Sequence, residues 1–137
     1  MAAKKILITR SDFDRLDALL ESDFTRATSD KTSLKDLRGE LDAAQIVDSQ
    51  EVPPDVVTME SVVKLRDLES QETDTYSLVY PEEANMATGK LSILAPIGTA
   101  ILGCRTGDTV RWKVPSGECE MRIEEIVSQP EREDTPT

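Results

Sequence analysis

Hydrophobic side chains along this chain change their spacing as the chain proceeds. Between residues 13 and 44 they recur at intervals of three and four, as Phe13, Leu16, Leu19 and Leu20, then Leu34, Leu37, Leu41 and Ala44. That spacing places each set on one helical face and predicts two amphipathic helices. A polar stretch over residues 22–29 separates them. Thr9 with Asp12, Ser11 with Asp14, and Thr32 or Ser33 stand where a side-chain oxygen can cap exposed backbone N–H groups. The second helix carries a heptad seam, so the pair is expected to fold back as a short antiparallel hairpin of coiled-coil type. Ahead of it, Ile6-Leu7-Ile8 predicts a short strand.

Pro53-Pro54 cannot continue a helix, and residues 49–55 read as a linker. From Val56 the period becomes two: Val57, Met59, Ser61, Val63 and Leu65 alternate with Thr58, Glu60, Val62, Lys64 and Arg66, which predicts a strand. Residues 75–80 predict a second strand with Tyr76, Leu78 and Tyr80 on one side, and 81–89 a loop. Residues 91–94 read as a strand end. Pro96 then suits a helical first turn, Ile97, Ile101 and Leu102 follow at helical spacing, and Gly103 supplies the stop. Gly107-Asp108 is a turn dipeptide, and strands are expected over Thr109–Val114 and over 118–127, with Cys119, Met121 and Ile123 facing one way. The expected class is α+β. Residues 1–50 are expected to form a helical hairpin, 51–130 a sheet domain with one short helix, and 131–137 a disordered tail.

With 137 residues, the chain can hold one ordinary domain or a small domain with a helical appendage. Its net charge of −11 has the acid concentrated over residues 51–90, which carry 9 acidic and 3 basic side chains. Proteins that bind duplex DNA gain affinity by neutralising phosphates, so direct duplex binding is not expected, and a basic protein surface is the better partner. There is no histidine, which removes the usual zinc ligand and acid/base group. Cys104 and Cys119 are too few for a disulfide framework and lack metal-ligand spacing. No apolar run approaches the roughly 18 residues of a membrane span, and the start lacks a signal-peptide core. A cytoplasmic monomer without cofactor or metal is expected.

The order of Pro96, Gly98, Ala100, Leu102, Gly103, Gly107, Asp108 and Val110, followed by Pro115-x-Gly117, resembles the C-terminal domain of the bacterial Gre-type transcription elongation factors. Further upstream, Asp14-Arg15-Leu16-Asp17-x-Leu19-Leu20-Glu21, Glu40-Leu41-Asp42-x-Ala44-Gln45 and Pro54-Asp55-Val56-Val57-Thr58-Met59-x-Ser61 are similar to the short members of that family. The resemblance implies an FKBP-like C-terminal domain, the fold of a class of proline isomerases. It also implies RNA polymerase as partner. By position, the polymerase-binding patch falls on Leu94, Ala95, Pro96 and Ile97.

An isomerase needs a pocket walled by aromatic rings. Phe13 and Phe24 lie in the hairpin, which leaves Tyr76, Tyr80 and Trp112 for the domain, and Trp112 reads as half-buried packing. In the cleavage-stimulating Gre factors, a long hairpin brings paired tip carboxylates to a magnesium ion in the polymerase channel, a task suited to oxygen ligands. The corresponding tip acids would be Glu21, Asp23 and Asp30. However, helices of about 12–15 residues span only roughly 18–22 Å, and the tip motif of the longer factors is absent. The expected protein is therefore not an enzyme. The resemblance implies that it docks near the polymerase secondary channel and competes with Gre-type factors without stimulating transcript cleavage; an active cleavage factor and an isomerase or chaperone are the alternatives.

Overall fold

The computed structural model describes residues 6–29, 31–114 and 117–130. Asp30, Pro115 and the 131–137 tail lie outside the described residues, as do the side chains of Pro96 and Trp112.

A first strand, β1 (Leu7–Thr9), runs without a break into α1 (Arg10–Glu21). Thr9 caps that helix, its Oγ1 accepting from the Asp12 N–H at 3.3 Å. At Ser22 the backbone leaves helical geometry with ψ of 129°, and the Ser22 hydroxyl caps a second helix, α2 (Asp23–Thr28). The polar stretch expected to be a simple connection is thus itself helical. Its serines compete for backbone N–H groups and so mark its boundaries. The third helix, α3 (Lys31–Asp42), begins before Thr32 and Ser33, so both lie within its first turn and past the position of a cap.

After α3 comes a strand the hydrophobic pattern does not announce. β2 (Gln45–Val47) pairs in parallel with β1, Ile8 opposite Ile46. Parallel strands need a crossover connection, and the three helices supply it. Leu16 and Leu20 of α1 and Leu37 and Leu41 of α3 are buried in the same cluster as Val57, Ile101 and Leu102, so helices and sheet share one core.

The sheet contains β3 (Val62–Asp67), β4 (Thr73–Val79), β5 (Lys90–Ser92), β6 (Thr109–Val114) and β7 (Gly117–Ser128), in the spatial order β5-β4-β3-β7-β6. Neighbours are antiparallel except β4 and β5, which run parallel. One face buries Val63, Leu65, Leu78, Leu91, Val110 and Ile123. The other carries cross-strand ion pairs, among them Arg66 with Glu124 at 3.2 Å and Arg111 with Glu120 at 2.7 Å. The link from β5 to β6 joins opposite edges and carries α4 (Pro96–Ile101), which packs on both α3 and β6.

The strand expected from Val57 starts only at Val62. Val56, Val57, Thr58 and Met59 are buried in succession, not alternately. The Thr58 N–H donates to Ser61 Oγ at 2.9 Å and the two hydroxyl oxygens lie 2.8 Å apart. These bonds close a turn in which Glu60 adopts a left-handed φ of 66°. The side-chain amide of buried Gln129 then ties the end of β7 to this segment, donating to the carbonyls of Pro53 at 2.9 Å and Val56 at 2.7 Å. Among the described residues, no helix is long and apolar enough to cross a membrane.

Candidate functional site

Leu94 and Ala95 form the corner between β5 and α4, and Ile97 lies in the helix's first turn; all three are half-buried against the core. The corner is fixed by its backbone. The Leu94 N–H donates to Ser92 Oγ at 3.0 Å, the Ala95 N–H to the Ser92 carbonyl at 3.0 Å, and the buried Thr99 hydroxyl to the Ile93 carbonyl at 2.7 Å. Pro96 occupies the first helical position, where its missing N–H leaves no intrahelical bond unmade. The four residues named from sequence thus occupy one continuous, braced corner. Asp108, in contrast, accepts from the Arg105 N–H at 2.8 Å and belongs to its turn.

The tip acids are arranged differently. Glu21 is exposed at the end of α1 and ion-pairs with Arg26 at 3.3 Å and Arg38 at 3.2 Å. Asp23 stands in the first turn of α2, where a carboxylate complements the helix dipole. Among the described residues, no three acidic, cysteine or histidine side chains are grouped so as to hold a metal ion.

A polar cluster that the sequence pattern does not single out joins α1 to the sheet. The hydroxyl of buried Tyr80 donates to Asp12 Oδ1 at 3.2 Å. Arg15 lies over the Tyr80 ring, 3.6 Å from its centroid, and donates to Glu82 at 3.0 Å. Burial raises the Asp12 carboxyl above the ordinary range although Tyr80, Thr9 and Arg15 pull it down. Tyr80 is pushed up by burial and by the Asp12 charge. Glu82, held by its own backbone N–H and by Arg15, is lowered. Glu60 is pushed up to about 7, first by burial, then by its hydrogen bond and charge contact with Glu83, with Arg15 opposing. The only advance signal is the run of carboxylates around residue 82, since spacing says nothing about which helix packs on them.

Beside this junction opens a cleft of about 620 Å³, with Arg10, Asp12, Asp48, Glu51, Met59 and Glu60 in its walls and no aromatic residue among them. Its polar, acidic lining differs from the apolar, aromatic walls typical of small-molecule pockets.

Known proteins resemble this chain in both sequence and fold. The family model for the C-terminal part of the transcription elongation factors GreA and GreB matches residues 40–128, and the one for the Rnk N-terminus matches residues 4–47. A solved GreA/GreB-type elongation factor from Nitrosomonas europaea is 40% identical, covers 92% of this chain and 100% of its own, and superposes with a TM-score of 0.76. A GreA elongation factor from Trichlorobacter lovleyi is 39% identical over 68% of this chain but only 59% of its own length. Fold and likeness together define a Gre-type protein. The "Regulator of nucleoside diphosphate kinase" of Escherichia coli K12 is 39% identical across 96% of this chain and 95% of its own. The chain belongs to the Rnk family, the short branch of the Gre-type proteins.

Proposed function

We propose that this protein is an RNA polymerase-binding regulator of transcription that docks near the secondary channel through Leu94, Ala95, Pro96 and Ile97. The observation that carries the reading is the braced, half-buried apolar corner lying inside the segment matched by the GreA/GreB C-terminal family. In this reading residues 1–50 act as the arm and 51–130 as an FKBP-like docking domain. The α1 and α3 helices have 12 residues each, or about 18 Å of reach at 1.5 Å per residue. An arm of that length occupies the channel mouth and excludes longer-armed factors without delivering tip acids to the active site. Glu21, already paired with two arginines, serves there as a surface charge. The cleft without aromatic walls favours binding over isomerase chemistry. The protein would act as a monomer in the cytoplasm, and any effect on nucleoside diphosphate kinase would follow indirectly from transcription.

Pull-down on purified polymerase core tests the docking. Pro96→Asp is expected to weaken capture by about thirtyfold or more, the scale of an interface hot spot, with an unchanged circular dichroism spectrum. Undiminished capture would place the patch elsewhere. In stalled elongation complexes, wild-type protein should release no shortened transcript and should suppress the cleavage that GreA promotes; new cleavage products would refute the non-cleaving role.

A further inference from the structure

We propose that the acidic end of the sheet and the cleft beside α1 continue the docking corner, and that together they take a polymerase segment whose basic side chains adjoin its apolar contact. This surface rests on the docking reading above and deepens it, by locating the charged part of the contact. The corner itself supplies none, because Leu94, Ala95, Pro96 and Ile97 are all uncharged.

Sheet topology brings the charge alongside. β4 and β5 run parallel with Val79 opposite Ser92, and the Ile93 N–H donates to the Val79 carbonyl at 2.8 Å. The corner after β5 and the 3-10 turn Pro81–Glu83 after β4 therefore leave the same end of neighbouring strands, about 4.8 Å apart. β3 is antiparallel to β4, so its start lies at that end too, where the Glu60 N–H donates to the Leu78 carbonyl at 2.6 Å. β7 also ends there, Ser128 opposite Val62, and Pro130 just beyond it lines the cleft. Across the strands, this end runs from the apolar corner through exposed Glu82 and Glu83 to Glu60 and the cleft, whose walls also hold Asp48 and Glu51. Two strand spacings, or roughly 10 Å, separate the corner from Glu60, a span that one partner element can cover.

The charge left over is negative. Arg15 is held by Glu82 at 3.0 Å, and Arg10 lies 3.8 Å from Asp14. Both arginines are thus matched by a carboxylate, while Asp48, Glu51, Glu60 and Glu83 remain to meet a partner. Lysine or arginine side chains gain from such a lining, and an anionic ligand is repelled by it. A cleft of about 620 Å³ lets those side chains enter, where a flat surface would only let them lie across it. Complementary charge of this kind acts mainly on specificity and on the rate of encounter.

Binding of the full chain to purified polymerase core, followed from about 50 to 300 mM salt, tests the surface. Glu83→Lys and Glu60→Lys are each expected to weaken binding by roughly tenfold, to slow association and to flatten the salt dependence. Glu51→Lys takes the place of Glu60→Lys if that variant does not fold. Glu72→Lys makes the same change in net charge at the opposite end of β3 and β4. It stands roughly 20 Å away, beyond the Debye length of about 8 Å, and should leave affinity within about twofold. Wild-type affinity in either folded cleft or turn variant, or an equal loss in Glu72→Lys, would overturn the surface; if Pro96→Asp still abolishes capture, the docking corner stands without it. Normal binding by Pro96→Asp removes the docking reading itself, and with it the corner that this surface continues.

Discussion

Gly98 sits where α4 is pressed onto the end of β5. A Cβ at that position would run into the Ser92 carbonyl oxygen and lie 3.1 Å from Ile93 Cα. Both obstacles are backbone, so only a shift of the helix could make room. Gly98→Ala is expected to cost about 1–3 kcal/mol, typical of overpacking, and to lower the urea midpoint at constant slope; a change under about 0.5 kcal/mol would show that the corner yields freely. Gly103 adds a second constraint, because at its φ of 82° the space a side chain would need is filled by Ile6. Spacing alone identifies Gly103 as a helix stop, yet nothing in the local sequence reveals that a residue from the other end of the chain packs there. Glu60 is harder still to read, since a left-handed φ at glutamate has no compositional signature.

The elements with several repeats of one period were legible: α1 and α3 by their leucines, β6 and β7 by alternation, α4 by Pro96 and its apolar positions. The elements missed are short or masked by polarity. The three residues of β2 are too few to display a period, and their partner β1 lies across the whole helical segment. The charged and hydroxyl residues of α2 read as a loop because its helicity rests on a Ser22 cap and not on a buried stripe. The leucine stripe of α3 also predicts where its stability resides. Leu37 is fully buried, and Leu37→Ala is expected to cost about 2–5 kcal/mol. Arg38 bridges Asp17, Glu21 and Asp42 at the surface, and Arg38→Ala should cost about 0.2–1 kcal/mol. Parallel urea titrations would reverse this assignment if the arginine variant proved the weaker protein.

The whole molecule has one continuous apolar core running from Ile6 and Leu37 to Val63 and Ile123. At pH 6, far-ultraviolet circular dichroism, dominated by the helices, and fluorescence from the tryptophan of β6 are therefore expected to report one coincident urea transition. Separated midpoints would mean that the helical part melts independently. The small β1–β2 ribbon has a mechanical consequence as well. Because its strands are parallel, α1 leaves from one end of the ribbon and α3 returns to the other. Tension drawing those two helices apart along the ribbon loads all its hydrogen bonds in shear, where an antiparallel pair would peel one bond at a time. The small ribbon is thus built to resist separation of the two helices along its own direction.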